Sequence, residues 1–133
     1  MQLLINIDVP DLPAAETLYT EVLGLTAGRR FGDRGIELLG AQAPIYLLQN
    51  PAGTVAAAGA RRDYGRHWTP VHLDVVVDQL EPALERALRA GMVQESDLRE
   101  ANWGRLVRLA DPWGHGWCLV QFVSRGYDEI TTN

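Results

Sequence analysis

A repeated spacing constrains this chain more than any other feature. Residues 2–9 alternate, with Leu3, Ile5, Ile7 and Val9 on one side and Leu4, Asn6 and Asp8 on the other, as expected for a strand with one buried face. Residues 71–77 do the same: Val71, Leu73, Val75 and Val77 are branched aliphatics, while His72 and Asp74 point the opposite way. Each strand is followed by an Asp suited to a helix N-cap, then an apolar stripe at helical spacing, then a Gly terminator. Asp11 to Gly24 and Asp78 to Gly91 are both thirteen positions apart, which points to an internal duplication. Glu81, three residues after Asp78, predicts a capping box, and Glu85 with Arg89 predicts an i,i+4 pair.

The strands after each helix extend the repeat. Phe31 and residues 35–39 predict a hairpin pair around Gly32-Asp33-Arg34-Gly35, and residues 45–49 a further strand. In the second half, strands are expected near residues 93–99, 105–110 and 117–123, separated by Asn102-Trp103-Gly104 and Asp111-Pro112-Trp113-Gly114. The fold class is therefore α+β, built from paired βαβββ modules. Residues 1–124 are expected to form one domain, with modules at about 1–50 and 70–124 joined by an Ala-, Gly- and Arg-rich linker at 51–69. Residues 125–133 read as a polar tail that frays.

Composition removes several function classes. All twelve basic residues are Arg, and a net charge of −5 argues against a nucleic-acid surface. No apolar run approaches the length of a membrane span, and the opening Met1-Gln2-Leu3-Leu4-Ile5 lacks a basic leader. Cys118, the only cysteine, cannot close an internal disulfide or build a multi-cysteine zinc site, so a reducing, cytoplasmic location is expected. No phosphate loop, dinucleotide fingerprint, zincin helix or nucleophile elbow is present.

Val9-Pro10-Asp11-Leu12, Tyr-Thr-Glu-Val-Leu-Gly-Leu at residues 19–25, the strand at 71–78, and Trp103-Gly104-Arg105 through Asp111-Pro112-Trp113-Gly114 occur in order. In this the chain resembles the vicinal oxygen chelate superfamily, which includes glyoxalase I, bleomycin-resistance proteins and extradiol dioxygenases. The resemblance implies modules that curl their mixed sheets into a cup, with helices on the outer face. It places the side of Leu4, Asn6 and Asp8 and the side of His72, Asp74 and Val76 inside that cup. His72 then stands where the family's metal enzymes have a ligand. Its first-strand counterpart is Leu4, and the end-strand positions that carry a carboxylate in those enzymes are Tyr46 and Cys118. Such a set is poor in donors, so no metal is expected, with a divalent metal as the alternative.

The candidate ligand-binding residues are Asn6, Tyr46, Trp68, His72, Asp74, Trp103, Trp113 and Cys118. His72 and Asp74 are candidate catalytic residues if the chain is an enzyme, as an acid–base pair, and a satisfied structural pair is an equal alternative. Three of the four Trp lie within fifteen positions. Trp68, Trp103 and Trp113 fall at loops or strand ends, suited to stacking on a planar ligand or to subunit contacts, whereas Trp117 is expected in the core. Cys118 suits a small buried hydrophobe, and His115 a hydrogen bond within its turn. The expected function is metal-free binding of a small planar or cationic compound such as an antibiotic, by a homodimer that sequesters it. The alternatives are a metal-dependent lyase or dioxygenase and a cofactor-free enzyme using His72 and Asp74.

Overall fold

The computed structural model describes residues 1–132 as two compact units that divide between Gly65 and Arg66. The first unit contains β1 (Ile5–Val9), α1 (Leu12–Leu23), β2 (Thr26–Arg30), β3 (Gly35–Leu39) and β4 (Ile45–Gln49). Its sheet runs β1-β4-β3-β2, with β1 parallel to β4 and the other neighbours antiparallel. Asp11 caps α1 by accepting from the Ala14 N–H at 3.0 Å, and Gly24 ends it at φ 65°, a left-handed conformation that suits glycine. Leu12, Ala15, Leu18, Tyr19 and Val22 form the buried stripe, which packs against Ile7, Val9, Ile36, Leu38 and Leu47 of the sheet.

β1 starts three residues later than the alternation predicts. Ile5 pairs with Ile45, the first residue of β4, so earlier residues have no ladder partner and Leu3 is 69% exposed. After β4 the chain turns back in a small loop bridged between Val55 and Arg61. The loop is tied down by Arg62, whose Nε donates to Asp8 Oδ2 at 2.8 Å, and by Tyr64, whose hydroxyl donates to the Asn50 carbonyl at 2.6 Å.

The second unit contains β5 (Leu73–Val76), α2 (Leu80–Ala90), β6 (Val93–Gln94), β7 (Arg99–Glu100), β8 (Gly104–Ala110) and β9 (Gly116–Phe122). The order is β5-β9-β8-β6, with β7 also on β8; β5 is parallel to β9 and the rest are antiparallel. Both units therefore repeat one mixed-sheet topology with a helix packed on one face, an α+β fold. The strand expected at residues 93–99 is split into β6 and β7. At the break the Ser96 hydroxyl accepts from the Arg108 N–H at 2.9 Å, and this side-chain bond replaces a ladder bond. β5 begins only at Leu73, opposite Trp117, which leaves Val71 72% exposed instead of in the core.

The capping box does not form. Gln79 is the N-cap of α2 without a side-chain bond, and Glu81 reaches across to Arg105. The Leu80 N–H instead donates to Gln121 Oε1 at 2.9 Å, and in the first unit the Leu12 N–H donates to Gln49 Oε1 at 2.8 Å. A glutamine near the end of the last strand thus covers the start of the helix in both repeats, and α2 begins one residue later than the Asp78 reading. No Glu85–Arg89 ion pair occurs among the described residues. The tail is ordered through the short 3-10 helix Gly126–Glu129: Tyr127 packs on Phe122 at 4.7 Å and on Trp103 at 5.1 Å. Asn133, the last tail residue, lies outside the described residues. Among the described residues no helix is long and apolar enough to cross a membrane.

The two caps have different energetic weights. Gln121→Ala leaves a part-buried helix N–H without its partner and is expected to cost about 1 kcal/mol. Glu81→Ala breaks an exposed pair and is expected to cost less than Gln121→Ala. Urea denaturation of both variants checks the order; a larger loss in Glu81→Ala would restore the capping box.

Candidate functional site

The parallel register of β5 on β9 sets Asp74 beside Cys118, and the antiparallel register of β9 on β8 sets Cys118 beside Arg108. Three chemically active side chains therefore share one row on one side of the sheet, while Trp117, Leu119 and Leu109 pack on the other. His72, just before β5, turns toward the row: its Nε2 lies 3.2 Å from Asp74 Oδ1. The nitrogen of His72, an oxygen of Asp74 and the sulfur of Cys118 all lie within 4.8 Å of one another.

Cys118 is buried, and its thiol pKa is pushed up to about 11 by that burial, by the Asp74 charge and by a hydrogen bond to Asp74. Alone it is a protonated thiol at neutral pH and no nucleophile.

A cavity of about 220 Å³ opens over this row, with Trp68, His72, Arg108, Trp117 and Cys118 in its wall. Arg66 forms one side. Its guanidinium grips Glu95 through two bonds of 2.8 and 2.9 Å and donates to the Gly114 carbonyl at 3.4 Å. Glu95 is held below the usual carboxylate range by its hydrogen bonds with Arg66. Gly116 makes this seat possible, because a Cβ there would stand 2.6 Å from the Arg66 guanidinium. Arg108, in contrast, has no ion pair among the described residues. It is an exposed cation at the cavity wall.

The first unit carries the corresponding row, Asn6, Tyr46 and Glu37, across β1, β4 and β3. Its chemistry is closed. Glu37 accepts from Arg29 Nη2 at 2.6 Å and from the Tyr46 hydroxyl at 2.7 Å, and its pKa is lowered to about 2, first by the Arg29 hydrogen bond and then by that of Tyr46. The same bond to Glu37 raises the Tyr46 pKa, so the phenol keeps its proton. Tyr46 is therefore unfit as a phenolate ligand, and Leu4 offers no donor. The second unit by itself offers three donors: His72, Asp74 and Cys118.

Of the residues singled out from sequence, the structure brings Trp68, His72, Asp74 and Cys118 together. Asn6 and Tyr46 sit in the other unit. Trp103 stacks with Phe122 and Tyr127, and Trp113 sits in the turn where Asp111 accepts from its backbone N–H at 2.9 Å. Asp111, buried, also takes His115 Nδ1 at 2.8 Å, the expected turn bond. Arg66, Glu95 and Arg108 escaped the sequence reading. Arg108 was reachable, since it shares the β8 alternation that buries Val107 and Leu109; Arg66 lies in a loop that carries no such signal.

Two βαβββ units in tandem are the arrangement of the glyoxalase fold. The chain belongs to the glyoxalase-like domain family, which it matches over residues 4–120, and with it to the vicinal oxygen chelate superfamily. An uncharacterized protein of Mycobacterium bovis is 39% identical over 64 residues, which cover 47% of this chain and 42% of that protein. The match thus spans less than half the length of the curated relatives. Among solved structures, the fosfomycin resistance protein FosX of Listeria monocytogenes superposes with a TM-score of 0.74 at 15% identity, covering 98% of this chain and 95% of that one. A variant of that protein has been solved with Mn(II) and a dihydroxypropylphosphonic acid. Lactoylglutathione lyase of Agrobacterium tumefaciens gives 0.64 at 19% identity, over 91% and 92% of the two chains. At such identities the likeness establishes the fold.

The Glu37 cluster sets a pH dependence. With its folded pKa depressed, Glu37 contributes stability that is present above its unfolded value and is lost as pH falls from the ordinary carboxylate range through about 2. Denaturation midpoints taken at descending pH are expected to fall less steeply in Glu37→Gln than in the parent. A residual slope should remain from Glu16, Glu81 and Glu95, whose pKa values are also lowered. Equal slopes would show that the Arg29–Glu37–Tyr46 cluster does not persist in solution.

Proposed function

We propose that the chain binds a small planar molecule in the cavity of its second unit and sequesters it without turning it over. The observation that carries this reading is the cavity itself, with the exposed Trp68 in its wall together with Arg108, which has no ion pair among the described residues. Ligand sites combine apolar and aromatic surface with a few placed polar groups. About 220 Å³ lies below the usual range for drug-sized ligands, so the cavity suits a compact ring system or one ring of a larger compound such as an antibiotic. Arg108 favours a ligand with an acceptor or anionic edge over a cation.

A homodimer in the cytoplasm completes the proposal. Val71 and Val76 are 72% and 59% exposed, and Trp68 is 82% exposed, apolar side chains that contact with a second copy would cover. The single buried thiol of Cys118 suits a reducing compartment. Sedimentation at micromolar concentration is expected to give the mass of two chains, and a clean monomer would count against assembly.

Two enzymatic readings have their own support. The His72–Asp74 contact of 3.2 Å favours acid–base chemistry, and the donor cluster with Cys118 favours a metal-dependent lyase or dioxygenase. One titration separates binding from turnover. Planar ligands are expected to quench Trp68 fluorescence and to be recovered unchanged, with His72→Ala weakening affinity by about 1–3 kcal/mol. An enzyme would release altered compound, and His72→Ala would then slow turnover by roughly 10²–10⁴-fold while binding persisted.

A further inference from the structure

We propose that the cavity of the second unit selects a planar organic anion that carries a hydrogen-bond donor on its opposite edge, with Arg108 holding the anion and His72 accepting from the donor. The inference rests on the planar-ligand reading and deepens it by naming the class of ligand.

Charge is the first support. The chain carries a net charge of −5, yet the cavity wall holds two arginines, Arg66 and Arg108, against a single carboxylate, Glu95. Arg66 takes that carboxylate through two bonds of 2.8 and 2.9 Å. Arg108 has neither an ion pair nor a side-chain hydrogen bond among the described residues, and its charge is felt at both Cys118 and Glu95. The wall is therefore a local excess of positive charge in an acidic protein, and a carboxylate or similar oxyanion is the group that offsets it. A cation has no equivalent partner, because Asp74, the carboxylate nearest the wall, is turned to His72 and lies behind it.

The far side of the cavity supplies the second support. His72 precedes β5 and Arg108 lies on β8, with β9 between them, so the two stand on opposite sides of Cys118, roughly 9–10 Å apart as two strand spacings. Asp74 Oδ1 lies 3.2 Å from His72 Nε2. A carboxylate only accepts, so the neutral imidazole facing it carries its proton on Nε2 and leaves Nδ1 as an acceptor. Between the two ends the wall is made of the protonated Cys118 thiol, Leu109 and Trp117, with Trp68 beside them, surface suited to a ring and not to a second charge. Read across the sheet, the order is acceptor, apolar centre, cation. Its complement is a donor, a ring and an anion.

Four probes on one ring system test this by calorimetry: indole-5-carboxylate, indole-5-carboxamide, indole-5-carboxamidine and 1-methylindole-5-carboxylate. The carboxylate is expected to bind roughly 10–100-fold more tightly than the carboxamide, the amidine most weakly, and the N-methyl acid about 2–10-fold more weakly than its parent. In Arg108→Gln the carboxylate and carboxamide should become equal while the preference for the free N–H persists. In His72→Ala the N–H preference should vanish while the carboxylate preference persists. Both side chains are exposed, and circular dichroism checks that each variant folds; should one fail, the four-probe order on the parent chain decides. A carboxamide or amidine bound as tightly as the carboxylate, or either preference surviving its own substitution, would overturn the inference and leave the planar-ligand reading standing. Binding of none of the four would remove both.

Discussion

The parallel register of β5 on β9 is the constraint on which the rest of the second unit depends. Side chains alternate across a sheet, so a slip of one residue would send Asp74 to the helix side and bring Leu73 or Val75 into the row. The register is held from the opposite face. Trp117, Leu119, Val107 and Leu109 are all nearly or fully buried under α2, and Gln121 ties the end of β9 to the first turn of that helix. Burial on one side thereby fixes which polar groups meet on the other, and the cavity needs no separate organising element. Gly104 reinforces the ladder, since a Cβ there would lie 2.6 Å from the Gln121 carbonyl oxygen.

The two units show how one topology comes to carry different chemistry. In the first, the row of Asn6, Tyr46 and Glu37 is closed by Arg29, which satisfies the carboxylate and leaves the phenol as a donor to it. In the second, the row of Asp74, Cys118 and Arg108 has no such closure. Asp74 faces both a histidine and a thiol, and Arg108 is left without an ion pair among the described residues. Equivalent positions in the two units thus carry different side chains, and one row is closed by an ion pair while the other is not.

Much of this architecture was legible in the sequence. Period-two alternation located β1, β3, β4, β5 and β9, and Asp11, Gly24 and Gly91 marked helix ends for a local physical reason. The errors share a cause. Val71 looked buried, yet burial depends on whether a partner strand extends far enough, and β9 does not. Asp78 looked like a cap, but a side chain distant in sequence, Gln121, took that role. Residues 93–99 looked continuous until a serine hydroxyl bonded the backbone of β8. Of the candidate site residues, His72, Asp74, Cys118 and Trp68, singled out by alternation, position and residue type, come together in the second unit. Arg66 and Glu95 were invisible, because an ion pair 29 residues apart in the chain leaves no periodic trace.

The account's central claim is that the ligand site belongs to the second unit and is built on the β5–β9–β8 row. Backbone amide and indole NMR shifts during titration with a planar aromatic compound test it most directly. The account predicts that shifts concentrate at the Trp68 indole and at the amides of Thr69, Glu95, Arg108, Gly116, Trp117 and Cys118. Shifts centred on Asn6, Arg29 and Tyr46, or on the Trp103–Phe122–Tyr127 cluster, would contradict it.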